Sequence, residues 1–136
     1  MTASSNKITV SIASDSKLVG GVCENILALA KKFSFDEDDI FGIHLALEEA
    51  AVNAVRHGNG GDNQKKVTIQ YLVNESVIDV RIADEGRGFK PESVPDPRSP
   101  ENIFKLGGRG LLLMKNYMDV VEYNDRGNEV HLVKYK

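Results

Sequence analysis

Hydrophobic and polar residues alternate along several segments of the chain, a two-residue period that is typical of half-buried β-strands. The alternation is clear in segments 8–12, 67–73 and 78–82, and two further short strands are predicted at 120–123 and 129–135. A short turn at Asn74, Glu75 and Ser76 connects the second and third of these segments, so they predict an antiparallel hairpin.

Two longer segments have apolar residues at steps of three and four, the pattern of an amphipathic helix. In the first helix the stripe consists of Leu18, Val22, Ile26, Leu29 and Phe33. The second helix is predicted from about residue 34 or 36 to His57, with the stripe Ile40, Ile43, His44, Leu47, Ala51, Ala54 and Val55. We therefore expect His44 to be a buried core histidine. A short third helix is predicted over 110–118.

Hairpins interleaved with helices exclude an all-parallel sheet and favour one mixed, mostly antiparallel sheet with helices on one face. The fold class is therefore predicted to be α/β, a two-layer α/β sandwich that forms a single domain over residues 1–136. Regular patterning is lost between the second hairpin strand and the third helix, where all four prolines occur. Loops of this length in a compact domain are typical of lids or binding segments.

Composition narrows the function classes further. The chain has 136 residues with 41% hydrophobic residues and a formal net charge of −3, which argues against binding nucleic acid through a basic face. No segment approaches the ~20 apolar residues of a membrane span, and residues 1–6 lack the features of a secretory signal, so a cytoplasmic location without membrane contact is expected. Cys23, within an apolar helical pattern, is expected to be a small buried residue.

The second helix carries a polar row that could bind a cation. Glu49, Asn53 and His57 follow one another at steps of four, and the small residues Gly42, Ala46 and Ala50 flank the row and could leave room for a ligand. A carboxylate, a carboxamide oxygen and an imidazole could hold a hard cation, and the carboxylate could accept a proton from a hydroxyl group. The alternative is an ordinary solvent-facing row.

Asp84 continues the apolar face of a predicted strand, after Ile78, Val80 and Ile82. A carboxylate in such a position is costly to desolvate unless it is hydrogen-bonded, for example to a ligand amino group. The alternative is that strand pairing has ended and Asp84 turns outward or caps the loop. Gly86 and Gly88 follow, where the backbone could closely approach a flat ligand.

A third stretch, Gly107, Gly108, Arg109 and Gly110, leads directly into the predicted third helix. Backbone N–H groups at a helix start can bind phosphate, and Arg109 would add positive charge. Taken singly, glycine before a helix is a weak signal, but a two-layer sandwich can bring the three stretches around one pocket.

Together these stretches resemble the N, G1 and G2 boxes of the GHKL ATPase superfamily, whose nucleotide-binding sandwich is called the Bergerat fold. The matching residues, in the family's order and spacing, are Glu49-x-x-x-Asn53-Ala54-x-x-His57-Gly58, Asp84-x-Gly86-x-Gly88-Phe89 and Gly108-x-Gly110-Leu111. A free-standing domain of this length is most similar to the bacterial anti-sigma-factor serine/threonine kinases.

The resemblance implies ATP and Mg²⁺ as cofactors and assigns roles to single residues. Asn53 matches the asparagine that holds Mg²⁺ at the phosphates, and Glu49 matches the proposed general base, with Glu48 as the fallback. Asp84 matches the acid that reads the adenine amino group. The remaining implied nucleotide contacts are Gly86 and Gly88 at the adenine and Gly108, Arg109 and Gly110 at the triphosphate, with residues 90–106 as the lid.

One departure from the family concerns the residue after Gly127, where the family usually has a threonine that supports the adenine pocket. Here Asn128 follows, so that hydroxyl contact is missing. The implied function is an anti-sigma-factor switch: a kinase that phosphorylates an anti-anti-sigma antagonist protein, binds a sigma factor in its place and forms a homodimer. The alternative is a non-enzymatic module that binds nucleotide and sequesters a protein partner.

Overall fold

The structure, a computed structural model, describes residues 7–86 and 114–136. Its elements are β1 (Ile8–Ala13), α1 (Ser16–Lys32), α2 (Glu37–Val52), a π-helical turn (Asn53–Gly58), β2 (Lys66–Val73), β3 (Val77–Asp84), β4 (Val120–Tyr123) and β5 (Glu129–Tyr135). Residues 114–117 are also helical, within the predicted third helix. The predictions for Gly88, Gly108, Arg109, Gly110 and the lid at 90–106 lie outside the described residues.

The strands form one five-stranded sheet in the order β1-β2-β3-β5-β4. Every described pairing is antiparallel. The predicted α/β sandwich is confirmed. Asp84 keeps its place in the register and pairs with Val67, so the last inward position of β3 belongs to a carboxylate.

The inner face of the sheet carries the alternating apolar residues that the sequence predicts, and the helices cover it. Its fully or almost fully buried members are Val67, Ile69, Tyr71, Val73, Ile78, Val80, Ile82, Val130 and Leu132. The outer face is polar and partly exposed, with Asp79 bound to His131 and Arg81 bound to Glu129. The sheet therefore buries one face and solvates the other, as antiparallel sheets commonly do.

The core-facing side of α1 keeps four residues of the predicted stripe, Val22, Ile26, Leu29 and Phe33, and Leu18 is the exception. Asp15 caps the helix by accepting hydrogen bonds from Lys17 N and Leu18 N, and Leu18 itself is 50% exposed. The buried residues are Val19, Val22, Cys23, Ile26 and Ala30. The side chains of Cys23 and Ala30 are small and buried on the core-facing side of α1. A stripe predicted from large apolar residues alone does not include them. Burial of Cys23 raises the pKa of its thiol to about 11 and confirms its structural role.

The prediction that His44 lies in the core is wrong. Its side chain is exposed, and Nε2 lies 2.7 Å from Oε1 of Glu48 one turn along α2. Ala46 and Ala50 are buried instead, beside Ile43 and Leu47.

Gly42 also has a packing role, since a Cβ at Gly42 would lie only 2.8 Å from Cδ1 of Tyr117. Of the small residues that were expected to make room for a ligand, Gly42 and Ala46 therefore serve helix packing. In the described part of the chain, no helix is long and apolar enough to cross a membrane.

The predicted second helix continues to Gly58, but its last turn is π-helical. The wider turn is closed by a hydrogen bond of 2.9 Å from Asn59 N to Ala54 O, five residues back. π-helical turns within α-helices occur frequently at functional sites. Here the turn begins at Asn53, the central residue of the predicted polar row.

Candidate nucleotide-binding site

A cavity opens where the end of α2 meets the ends of β3, β4 and β5. It is lined by Ala50, Asn53, Ala54, His57, Gly58, Ile82, Asp84, Tyr123, Gly127, Asn128, Glu129 and Val130. Two members of the predicted polar row, Asn53 and His57, therefore meet the carboxylate of Asp84 at one cavity, whereas the third member, Glu49, does not line it. Ala50 is the one flanking small residue of that row that lines it.

Asn53 presents an unpaired acceptor at this cavity. Its Nδ2 donates a hydrogen bond of 3.3 Å to the hydroxyl oxygen of Tyr123 on β4. Its Oδ1 is buried and has no hydrogen-bond partner among the described residues. Buried polar atoms in folded proteins are normally paired, so this amide oxygen at the cavity is available to accept a hydrogen bond or to coordinate a cation.

Glu49 lies one helical turn before Asn53 and is partly buried. Burial raises the pKa of its carboxyl group, an effect that the charge of nearby His57 partly opposes. Glu48, by contrast, is 62% exposed at its side chain and bound to His44. Of the two candidate bases, only Glu49 shares the electrostatic environment of the cavity.

Asp84 stays paired in the last inward position of β3, so strand pairing has not ended there, but its side chain also caps the loop that follows, as one part of the alternative stated. Its Oδ1 accepts a hydrogen bond of 2.8 Å from the N–H of Gly86. Burial raises the pKa of Asp84, while the Gly86 hydrogen bond and the charges of Lys65 and Arg126 lower it. The carboxylate is thus fixed by one oxygen and retains acceptor capacity on the other.

Gly58 and Gly86 permit this arrangement because neither can carry a side chain here. A Cβ on Gly58 would overlap the Asp84 carboxylate, and a Cβ on Gly86 would overlap the carbonyl group of Gly58. The three residues form a close-packed contact between the end of the π-helical turn and the end of β3. Gly86, which the resemblance places at the adenine, is therefore also required by the packing of the protein itself.

Asn59 was missed in the sequence and holds the same region together. It is 1% exposed, its Nδ2 donates to Lys66 O at 3.1 Å, and its Oδ1 accepts from Glu85 N at 2.8 Å. One side chain therefore ties the end of the π-helical turn to the start of β2 and to the residue after Asp84. In the sequence, Asn59 before Gly60 looks only like a helix stop.

Tyr123 was also missed, because nothing in the short segment 120–123 distinguishes it from a packing residue. It lies on β4 opposite Val130 and packs against the core. Burial raises the pKa of its hydroxyl group; the hydrogen bond from Asn53 lowers it, and the negative charges of Glu49 and Asp84 raise it further. These effects place the phenol in the same electrostatic environment as the predicted site residues.

Asn128, the departure from the family pattern, joins the start of β5 to β3. Its backbone oxygen accepts from Asp84 N at 2.8 Å, and its Oδ1 accepts from Asn124 Nδ2 at 2.8 Å. Its Nδ2 lies 3.5 Å from the Asp84 carbonyl oxygen. The asparagine side chain is therefore used to hold the turn between β4 and β5, and the residue still lines the cavity.

The oxygen of Asn53 fits a cation whose other ligands come from water and from a bound phosphate group. No group of three or more His, Cys, Asp or Glu side chains within residues 7–86 and 114–136 could hold a metal ion. Mg²⁺ is commonly bound by one or two protein oxygens together with waters and substrate phosphates. The unpaired Oδ1 of Asn53 fits that kind of site.

A two-layer sandwich with this cavity defines an ATPase-type nucleotide-binding domain. The sequence profile of the histidine kinase-like ATPase domain matches residues 12–134, and the chain belongs to that family. The resemblance to GHKL ATPases and the use of ATP that it implies are thereby confirmed.

The chain is similar in sequence to curated relatives over most of their length and most of its own. The chain is 32% identical to the serine-protein kinase RsbW of Bacillus licheniformis over 124 residues, covering 86% of this chain and 78% of the relative. It is 30% identical to the RsbW of Bacillus velezensis, covering 99% and 89% respectively. For the RsbW of Listeria monocytogenes the identity is 28%, with 96% and 87% covered.

Proposed function

We propose that the chain is a cytoplasmic, Mg²⁺-dependent protein serine/threonine kinase that acts as an anti-sigma-factor switch. The names of its relatives, serine-protein kinase RsbW, support the reaction class. The observation that carries the proposal is the unpaired Asn53 Oδ1 at a cavity that also contains Asp84, with Glu49 one helical turn away.

In this proposal Asp84 accepts a hydrogen bond from the adenine amino group through the oxygen that Gly86 leaves available. Asn53 would hold Mg²⁺ through Oδ1, and the bound ion would neutralise charge on the triphosphate. The contacts that the resemblance assigns to Gly86, Gly88, Gly108, Arg109 and Gly110 belong to the same proposal, as does the lid at 90–106.

Glu49 is the proposed general base. The substrate hydroxyl oxygen attacks the γ-phosphorus, its proton passes to the Glu49 carboxylate, and the bond between the γ-phosphorus and the bridging oxygen breaks to release ADP. A carboxylate whose pKa is raised by burial accepts a proton more readily than an exposed one. Positioning and charge neutralisation supply the rest of the rate enhancement.

The proposed protein substrate is a small anti-anti-sigma antagonist, and the unphosphorylated antagonist competes with a sigma factor for the kinase. These partners, and a homodimeric state, come from the resemblance stated above. Neither nucleic acid nor a membrane is a proposed partner. The formal net charge of −3 is consistent with protein partners.

The test of this function compares Glu49→Gln with Glu48→Gln in transfer of phosphate from ATP to antagonist proteins from the same genome. Glu49→Gln should bind ATP normally and lose about 10²- to 10⁴-fold in transfer rate, the usual effect of removing a general base. Glu48→Gln, a matched change on the exposed side of α2, should retain the rate. Normal transfer by Glu49→Gln would instead point to Glu48 or to no base.

The pH dependence supplies a second readout. Glu49 accepts a proton only when ionised, so the rate should fall as the pH drops through its raised pKa, at a higher pH than an unperturbed glutamate would give. The acid limb should be absent from the residual activity of Glu49→Gln. Antagonist binding without any transfer by the unaltered protein would favour the non-enzymatic alternative.

A further inference from the structure

One hydrogen bond joins the side chain of Asn53 to the sheet. Asn53 lies at the start of the π-helical turn, and Tyr123 lies at the end of β4, seventy residues later in the chain. The Asn53 Nδ2 to Tyr123 hydroxyl distance of 3.3 Å makes this the hydrogen bond by which the sheet holds the Asn53 side chain.

The two ends of a carboxamide have opposite chemistry, which makes this contact consequential. Only Oδ1 can coordinate a cation, while Nδ2 carries two hydrogens that need acceptors when they are buried. If Oδ1 turns toward a cation and Nδ2 has no acceptor, the coordinated state contains a buried unpaired donor, which is costly. The Tyr123 hydroxyl oxygen is an acceptor for that donor.

We propose that Tyr123 is a positioning residue for Mg²⁺-dependent ATP binding: its hydroxyl oxygen accepts from Asn53 Nδ2 and keeps Asn53 Oδ1 available to the cation. The proposal rests on the proposed function, because it assigns Oδ1 to Mg²⁺. It adds a residue from a different part of the chain, in a strand that carries none of the predicted site residues. Tyr123 acts through Asn53 and needs no contact with the nucleotide.

Tyr123→Phe isolates the effect, since it removes only the oxygen and leaves the ring in the core. Tyr117→Phe is the matched control, because Tyr117 contacts Phe41 and Gly42 and does not line the cavity. ATP affinity is measured by calorimetry for each variant with saturating Mg²⁺ and with EDTA. The ratio of the two affinities reports the contribution of the cation.

We expect the affinity ratio to fall about fivefold in Tyr123→Phe, the typical effect of losing one neutral hydrogen bond, while the affinity in EDTA and the melting temperature change little. Tyr117→Phe should leave the ratio unchanged. In an Asn53→Ala background, Tyr123→Phe should have no further effect on the ratio, because the group it positions is absent.

A merely structural role for Tyr123 would lower ATP affinity equally with Mg²⁺ and with EDTA. An affinity ratio that is unchanged in Tyr123→Phe, whether or not both affinities fall, would overturn the proposal. A full effect of Tyr123→Phe in the Asn53→Ala background would overturn it as well. If the unaltered protein bound ATP equally well with and without Mg²⁺, the metal role of Asn53 in the proposed function would fail as well. The ATP affinity of the unaltered protein with and without Mg²⁺ therefore shows whether the metal role of Asn53 fails or only the positioning role of Tyr123.

Discussion

Replacing Asp84 with asparagine tests the adenine contact while preserving size and shape. Oδ1 of Asp84 accepts the Gly86 N–H at 2.8 Å, so an asparagine must keep its own oxygen at that position. Its NH₂ group then occupies the position of the second carboxylate oxygen. Two hydrogen-bond donors, this NH₂ group and the adenine amino group, would therefore face each other. A charged acceptor is thereby replaced by a group that cannot accept a hydrogen bond.

The size of the loss follows from the hydrogen bond removed. Hydrogen bonds to charged groups contribute about 1.5–3 kcal/mol, which corresponds to roughly ten- to hundredfold weaker ATP binding. The preference between bases should change as well. Inosine triphosphate carries a carbonyl oxygen in place of the adenine amino group, so the ratio of ATP to inosine triphosphate affinity should fall in Asp84→Asn.

Stability separates this effect from unfolding. Because burial raises the pKa of Asp84, the folded state holds a proton on it more tightly than the unfolded chain does, and the ionised carboxylate costs folding free energy above that pKa. The uncharged variant should therefore melt no lower than the unaltered protein at neutral pH. Asp79→Asn, the same change on the outer face of β3, should alter neither nucleotide affinity.

Calorimetry with both nucleotides and a melting curve for each variant are the required measurements. Unchanged ATP affinity in Asp84→Asn, or an unchanged affinity ratio between the two bases, would remove Asp84 from the adenine site and refute this reasoning.

Three further substitutions, one of them with a control in α1, probe the cavity and the segment that supports it. Asn53→Ala should abolish the gain in ATP affinity that Mg²⁺ provides, and a persistent gain in calorimetry would assign the cation elsewhere. Gly58→Ala should weaken ATP binding at least tenfold, because its Cβ would overlap the Asp84 carboxylate. The control is Gly21→Ala, where a Cβ would have no atom within 4 Å. It should stabilise α1 by up to about 1 kcal/mol and leave ATP affinity unchanged. Asn59→Ala leaves two backbone groups unpaired and should cost about 2 kcal/mol in the free energy of unfolding, measured by urea titration; a loss below about 0.5 kcal/mol would contradict its role.

The strands were predictable because the buried face of an antiparallel sheet imposes a two-residue period. Val67 to Val73 and Ile78 to Ile82 are buried at every second position. The helices were harder to orient, because hydrophobicity alone does not determine which side packs closest. Small Ala46 lies against the core where His44 was expected, and the burial of such a small side chain has almost no hydrophobic signal.

At the site, helical spacing was sufficient to predict that Asn53 and His57 share one face, and both line the cavity, whereas Glu49 lies one turn before Asn53 and is not among the lining residues. The end of the π-helical turn that follows is tied down by the side chain of Asn59, whose partner Glu85 lies 26 residues later in the chain. Tyr123 likewise reaches Asn53 only through the pairing of β4 with β5. Contacts of this kind leave no local pattern in the sequence.

The most direct test of the kinase assignment follows a labelled phosphate. The protein is incubated with Mg²⁺ and ATP labelled at either the γ- or the α-phosphorus, together with each small antagonist protein from the same genome. Label from the γ-position alone should appear on a serine or threonine of one antagonist, and Asn53→Ala should abolish the transfer. Stable binding of ATP and of an antagonist without any transfer of the γ-label would contradict the account.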